Sequence, residues 1–137
     1  MTAGALQDLA SELKVLHKAL LSEGRRAFEA EHGPVGGALH LLHLLVHEPA
    51  FAWLRPLSEL MADLDSLLAL ESSPNSDEQG DLRAELEELL SPANSGLWAA
   101  LTAFIQSAPD VAGAYARVRQ ILASLPKPAA KSKTAGP

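Results

Sequence analysis

The sequence predicts an all-α fold, an antiparallel up-down helical bundle of five or six helices with a disordered C-terminal tail. Three observations lead there. Apolar residues make up 47% of the 137 residues and aromatics only 4%, with Leu and Ala dominant. Those two side chains lose little rotamer freedom in a helix, whereas the β-branched and aromatic residues that favour strands are sparse. The leucines recur at spacings of three and four, which gathers them on one helical stripe. The links between such stripes are short and rich in Pro, Gly and Ser, so neighbouring helices should run antiparallel.

The first helix is read from Thr2, a plausible cap, to about Glu31. Leu6, Leu9, Leu13, Leu16 and Leu20 form its stripe. Gly33 and Pro34 stop it, because Gly accepts the left-handed cap conformation and Pro cannot continue the ladder. The second helix runs from about Gly36 to His47 and is apolar around most of its circumference, which predicts a central place in the bundle. Pro49 and Pro56 bracket the next segment. Either a tight turn leads to a helix near Pro56, or one helix kinks there. The kinked helix is preferred, because Trp53 then joins the stripe of Leu57, Leu60, Met61, Leu64 and Leu68, with Glu59 and Asp63 opposite. It should end near Glu71.

Residues 72–80 are a polar loop in which Ser76 and Gln79 match a capping box. A short acidic helix follows on Leu82, Leu86 and Leu89 and stops at Ser91 and Pro92. Asn94 or Ser95 should cap the next helix, which presents Trp98, Leu101 and Ile105. Pro109 then restarts the chain for a last helix on Val111, Tyr115, Val118 and Leu122. The bundle is assigned to residues 1–125. Residues 126–137, rich in Pro, Ala and Lys, have nothing to bury and are assigned to the tail.

Composition limits function. Net charge is −6, and setting aside Lys127, Lys131 and Lys133 of the tail leaves −9 on residues 1–125. Such a body lacks the basic face that phosphate-backbone binding requires, so no nucleic-acid partner is expected. The most apolar stretch, Ala38 to Val46, is about half the length of a membrane span and is interrupted by His40 and His43, so no membrane partner is expected either. There is no cysteine, which removes disulfides, thiolate metal sites and a Cys nucleophile. The first residues lack the basic and apolar runs of a signal peptide. A cytoplasmic protein is the expectation.

The segment HLLHLLVHE is the one feature that suggests chemistry. His40, His43 and His47 are spaced three and four and share a helix face. Imidazoles on neighbouring turns can bring ring nitrogens to one transition metal. The first and third are nearly two turns apart, so a second helix would have to contribute. If helices one and two form a hairpin about Pro34, His17 comes close to His47, and the pair has the geometry to ligate a metal or a haem iron. The competing reading, favoured here, is that the three histidines are merely the polar side of a very apolar helix. By the same logic His17 alone is a histidine hydrogen-bonded at the core margin. No cofactor is therefore predicted, with a transition metal or haem as the minority reading.

Other motifs fail. A di-iron bundle needs two Glu-x-x-His pairs, and only Glu29–His32 is present. There is no zincin or EF-hand pattern, and Gly33, Gly36 and Gly37 lack the strand and Lys-Ser/Thr context of a phosphate loop. The serines have no nucleophile-elbow context. The acidic residues Asp81, Glu85, Glu87 and Glu88 read as a solvated face. Trp53 and Trp98 are core anchors by default; in the minority reading they, with Arg55, are interface residues.

Residues 31–68, and above all His-Glu-Pro-Ala-Phe-Ala-Trp-Leu-Arg-Pro-Leu-Ser at 47–58, resemble an uncharacterised family of short bacterial proteins. The resemblance implies a bacterial cytosolic helical protein and carries over no activity and no functional residue. Within that segment Arg55 sits between bulky residues, where it suggests a fixed corner and a pair with Glu48 or Glu59. The leading expectation is a non-enzymatic interaction or regulatory module with a protein partner, a homodimer among the options. A metal- or haem-binding bundle through His17, His40, His43 and His47 is the second reading. A sensor of small apolar ligands near Trp53 is the third.

Overall fold

A computed structural model describes residues 2–70 and 74–127. The chain is all-α over these residues. Its elements are α1 (Thr2–His32), α2 (Ala38–His47), a 3-10 helix (Pro49–Leu54), α3 (Arg55–Leu68), α4 (Ser76–Leu89), α5 (Ser95–Ser107) and α6 (Pro109–Ser124). The expected tail lies outside the described residues apart from Pro126 and Lys127, and so does the expected helix end at Glu71. Thr2 is the first residue of α1, and its cap geometry also falls outside them.

The main core assembles on the α1 stripe. Leu6, Leu9, Leu13, Leu16 and Leu20 are fully buried and pack with leucines and valines of α3, α4, α5 and α6. Helix α6 is the principal neighbour of α1. Residues 18–26 of α1 flank 109–113 of α6, while 8–12 flank 117–121, so the two helices run antiparallel. Arg117 Nε donates to Glu12 Oε1 at 2.8 Å across this pair. Helices α3 and α4 are also antiparallel, with 56–60 beside 88–93 and 63–67 beside 78–82. Arg83 closes the circuit, donating to the Leu125 carbonyl at the end of α6 at 2.8 Å. The carbonyls of a last helical turn lack intrahelical donors, so a cation is well placed there.

The caps explain where several helices begin. Asn75 Oδ1 accepts from the Glu78 amide at 2.8 Å, and Glu78 Oε1 accepts from the Asn75 amide at 2.9 Å. This is a capping box one residue before the expected Ser76/Gln79 pair. Gln79 is instead 2% exposed and donates to the Pro74 carbonyl. Its length lets it reach back under the helix start, which removes it from the surface position a box requires. Asn94 caps α5, and Pro109 opens α6, as the sequence suggests.

Two expectations about the middle of the chain are corrected. The chain does not run as one kinked helix through Pro56. Residues 49–54 form a 3-10 helix and α3 starts at Arg55, with Pro56 in its first turn. Proline has no amide to donate to the preceding turn, so the α ladder cannot cross it, while the first turn tolerates it. Nor is α2 central. Among its residues only Leu44 is buried, and α2 packs chiefly on the 3-10 helix. Leu44, Val35 and Phe51 form a second, smaller core with Leu21, Phe28, Leu41 and Leu45 packed around it. An all-round apolar helix signals burial only if the bundle has room on every side. Here the main core is already filled by α1, α3, α4, α5 and α6, and α2 is left as an outer layer.

Candidate functional site

The outer layer is the candidate site. It starts from the turn that ends α1. Gly33 adopts φ +90°, the left-handed region, and its amide bonds the Glu29 carbonyl at 2.8 Å. Glu29 Oε2 accepts from the Val35 amide at 2.8 Å and from Arg25 Nε at 3.2 Å. The Val35 amide first, and Arg25 second, hold the Glu29 carboxyl below its usual range. Glu29 thus pins the turn that aims α2, which accounts for the isolated Glu-x-x-His spacing. His32 is drawn off the other way, stacked on Phe28 at 4.3 Å with Nδ1 donating to the Phe28 carbonyl.

The far end of α2 is pinned by Arg55. Its Nε donates to the Leu45 carbonyl at 3.1 Å and its Nη2 to the Glu48 carbonyl at 3.2 Å. The expected pairing with the carboxylate of Glu48 or Glu59 is therefore not what fixes this corner. The planar guanidinium fork matches two free carbonyls of a helix end. This half-buried arginine is committed to the fold.

The four candidate histidines separate into different roles. His17 Nε2 shares a 2.7 Å hydrogen bond with Ser58 Oγ of α3, and burial pushes its imidazole below the ordinary value. No contact joins it to His47 among the described residues, because α1 turns this face to α3 and leaves α2 to the 3-10 helix. The His17/His47 pairing of the minority reading is absent among the described residues, and His17 has the hydrogen bond expected of it at the core margin. His40 lies in the first turn of α2, where its Nδ1 accepts from the Gly36 amide at 2.7 Å. That acceptor role places the proton of the neutral ring on Nε2. His43 and His47 remain. Their rings lie 4.6 Å apart between centroids, tilted by 46°, and both are exposed. Among the described residues neither has a hydrogen-bond partner, and no group of three or more His, Asp or Glu converges on a point.

Beside this pair lies an aliphatic stripe that the sequence assigned to the core. Leu39 is 83% exposed, Leu42 54% and Val46 51%. Their spacing of three and four puts them on one line, opposite Leu44 and the half-buried Leu41 and Leu45. Val15 and Leu70, the other large apolar side chains in water, stand singly elsewhere. Helix α2 itself holds no Asp, Glu, Lys or Arg. Its outward surface is thus an uncharged strip, aliphatic along one edge and imidazole along the other.

The tryptophans lie elsewhere. The Trp53 indole donates to the Ala50 carbonyl at 2.8 Å and its ring fits against Gly24 and Phe104. Trp98 is half-buried against the main core. A groove of about 330 Å³ between α3 and α4 is lined by Glu59, Asp63, Glu85 and Glu88 with Leu60 and Leu89. Thus Glu59 and Asp63 face the acidic side of α4 across a cleft. The described helices include none long and apolar enough to cross a membrane. No family model, no curated protein and no solved structure matches this chain.

Proposed function

We propose that this protein is a non-enzymatic interaction module that docks through the outer face of α2 onto a second copy of itself. The observation that carries the reading is the exposure of Leu39, Leu42 and Val46 along one line of a helix that is otherwise firmly anchored. Scattered surface leucines need no explanation, whereas an aligned set on an uncharged helix does. Apart from His43 and His47, the polar residues that suggest chemistry are occupied with structure: Glu29 with the turn, His17 with Ser58, His40 with Gly36 and Arg55 with two carbonyls.

The charge distribution favours a second copy as the occupant. A charged partner segment would find no counter-charge on α2. A second copy brings a strip equally free of charge and buries no ion. Two bodies of −6 each repel at a distance, and a contact centred on α2 meets at a helix without a charged side chain; α5 is equally uncharged but exposes no large apolar side chain.

The magnitudes describe a weak dimer. The three side chains expose nearly two whole side chains' worth of apolar surface. Burying them contributes about 3–6 kcal/mol per copy. Doubled for two copies, that is on the same order as the roughly 4–15 kcal/mol cost of association. Sedimentation of the untagged protein in chelator, over a wide concentration range, tests the reading. Mass should rise towards the dimer as concentration rises, and more readily at high salt. Leu42→Glu should hold the chain monomeric with its helicity intact. A wild-type monomer at every concentration, in chelator and with divalent metal alike, would sink the proposal.

A further inference from the structure

We infer that His43 and His47 form half of a divalent transition-metal site, which a second copy of α2 completes with the same two residues. The inference rests on the reading of α2 as a self-docking face and adds a ligand to it. Two imidazoles one turn apart on a helix, 4.6 Å between centroids and free of other hydrogen bonds, can turn ring nitrogens to one ion. His40 is held by the Gly36 amide and His17 by Ser58, so among the described residues this face offers two unengaged imidazoles. Zinc prefers four ligands in a tetrahedron, and imidazole nitrogen suits it. Two coordination positions are left to fill.

Symmetry supplies them. Copies meeting face to face and antiparallel are related by a two-fold axis in the contact plane, perpendicular to α2. That rotation reverses the helix direction but keeps each flank on its own side. The imidazole edges of both copies therefore fall on one side of the contact, and the aliphatic edges on the other. An axis passing between positions 43 and 47 brings four imidazoles around one point, with Leu42 and Val46 packed alongside. A parallel pair would put the two imidazole edges on opposite sides. The self-complementary interface is the commonest oligomer geometry. The exposed apolar strip, alone, is well below the roughly 800 Å² per partner of a standard interface. A shared ion supplies the missing affinity.

The test titrates zinc into the untagged full chain while following mass and bound metal. Saturation at one zinc per two chains, with conversion to dimer, is expected. His43→Ala and His47→Ala should each weaken zinc binding by about tenfold or more, a loss that even outer-shell changes can produce. His40→Ala should leave the stoichiometry unchanged. All three side chains are exposed, so the variants should keep wild-type helicity. No zinc binding, one zinc per monomer, or binding indifferent to His43→Ala and His47→Ala would each overturn the inference. A chelator-stable dimer that ignores zinc overturns the metal site and leaves the docking face standing. A monomer in both arms sinks both.

Discussion

Arg55→Gln should loosen α2 and leave the main bundle intact. The guanidinium makes two charge-assisted bonds, to the carbonyls of Leu45 and Glu48, at 3.1 and 3.2 Å. Hydrogen bonds to charged groups contribute about 1.5–3 kcal/mol each when well sheltered. Arg55 is half-buried and both bonds are long for such contacts, so the low end applies. A joint loss of about 2–3 kcal/mol follows. Gln is too short to replace either bond. The loss should be local, since α2 rests chiefly on the small second core through Leu44, with Val35, Phe51, Leu21 and Phe28 around it, and reaches the main core only through the half-buried Leu45. Native-state hydrogen exchange reads this directly. The amides late in α2 should exchange about 30- to 150-fold faster, the factor that corresponds to this free energy, while those of α1 near Leu13 and of α6 near Val118 hold their protection. A uniform loss across all helices would refute the claim that the outer layer opens on its own. No change in α2 would refute the claim that Arg55 holds it.

Three further outcomes are expected. Stability should fall as pH drops below about 6.5, the imidazole value of the unfolded chain, because burial keeps the folded His17 pKa lower and the unfolded state takes the proton first; chemical denaturation of His17→Gln should show a flatter slope through this window, and an unchanged slope would remove His17 as the cause. Asn75→Ala removes the capping box of α4 and should cost about 1 kcal/mol in the same assay, and a neutral result would mean that water caps α4 as well as Asn75 does. A Cβ at Gly24 would lie 3.0 Å from the Trp53 ring, so Gly24→Leu should lower stability by about 1–3 kcal/mol and shift the tryptophan emission; stabilisation through better helix propensity alone would show that Trp53 moves aside freely.

Much of the bundle was legible from spacing alone. The five α1 leucines sit on the buried side because a 3-4-3-4 pattern can face only one way. Gly33, Asn94 and Pro109 mark boundaries because their backbone or side-chain chemistry is local, and local chemistry is written in the sequence. What depended on the rest of the chain was not legible. Whether Leu39, Leu42 and Val46 are buried is decided by how much of the core other helices fill, which periodicity does not report. The Arg55 carbonyl bonds follow from where α2 ends relative to the 3-10 helix, and charge pairing in the sequence pointed to acids instead. The candidate site was half legible. The histidine spacing drew attention to α2, but which of the candidate histidines are hydrogen-bonded depends on Ser58 and Gly36. The Gly36 bond had a local signal, a side-chain acceptor in the first turn of an apolar helix.

The division into two cores is also the reason the proposed docking face lies on α2 and not on the larger bundle surface. Around the main core, the helix surfaces carry the charges of α1, α3, α4 and α6, and a partner there would have to strip water from carboxylates such as those facing each other between α3 and α4, while the uncharged α5 exposes no large apolar side chain. On α2 nothing charged has to be stripped. The second core needs only one side of the helix, through Leu44 with Leu41 and Leu45. A helix held at both ends, by Glu29 through the turn and by Arg55 through its last carbonyls, loses little conformational entropy when its outer side is covered. The same anchoring fixes the separation of His43 and His47 before any ion arrives. The features that withdraw Glu29 and Arg55 from chemistry are thus the ones that preorganise the face beside them.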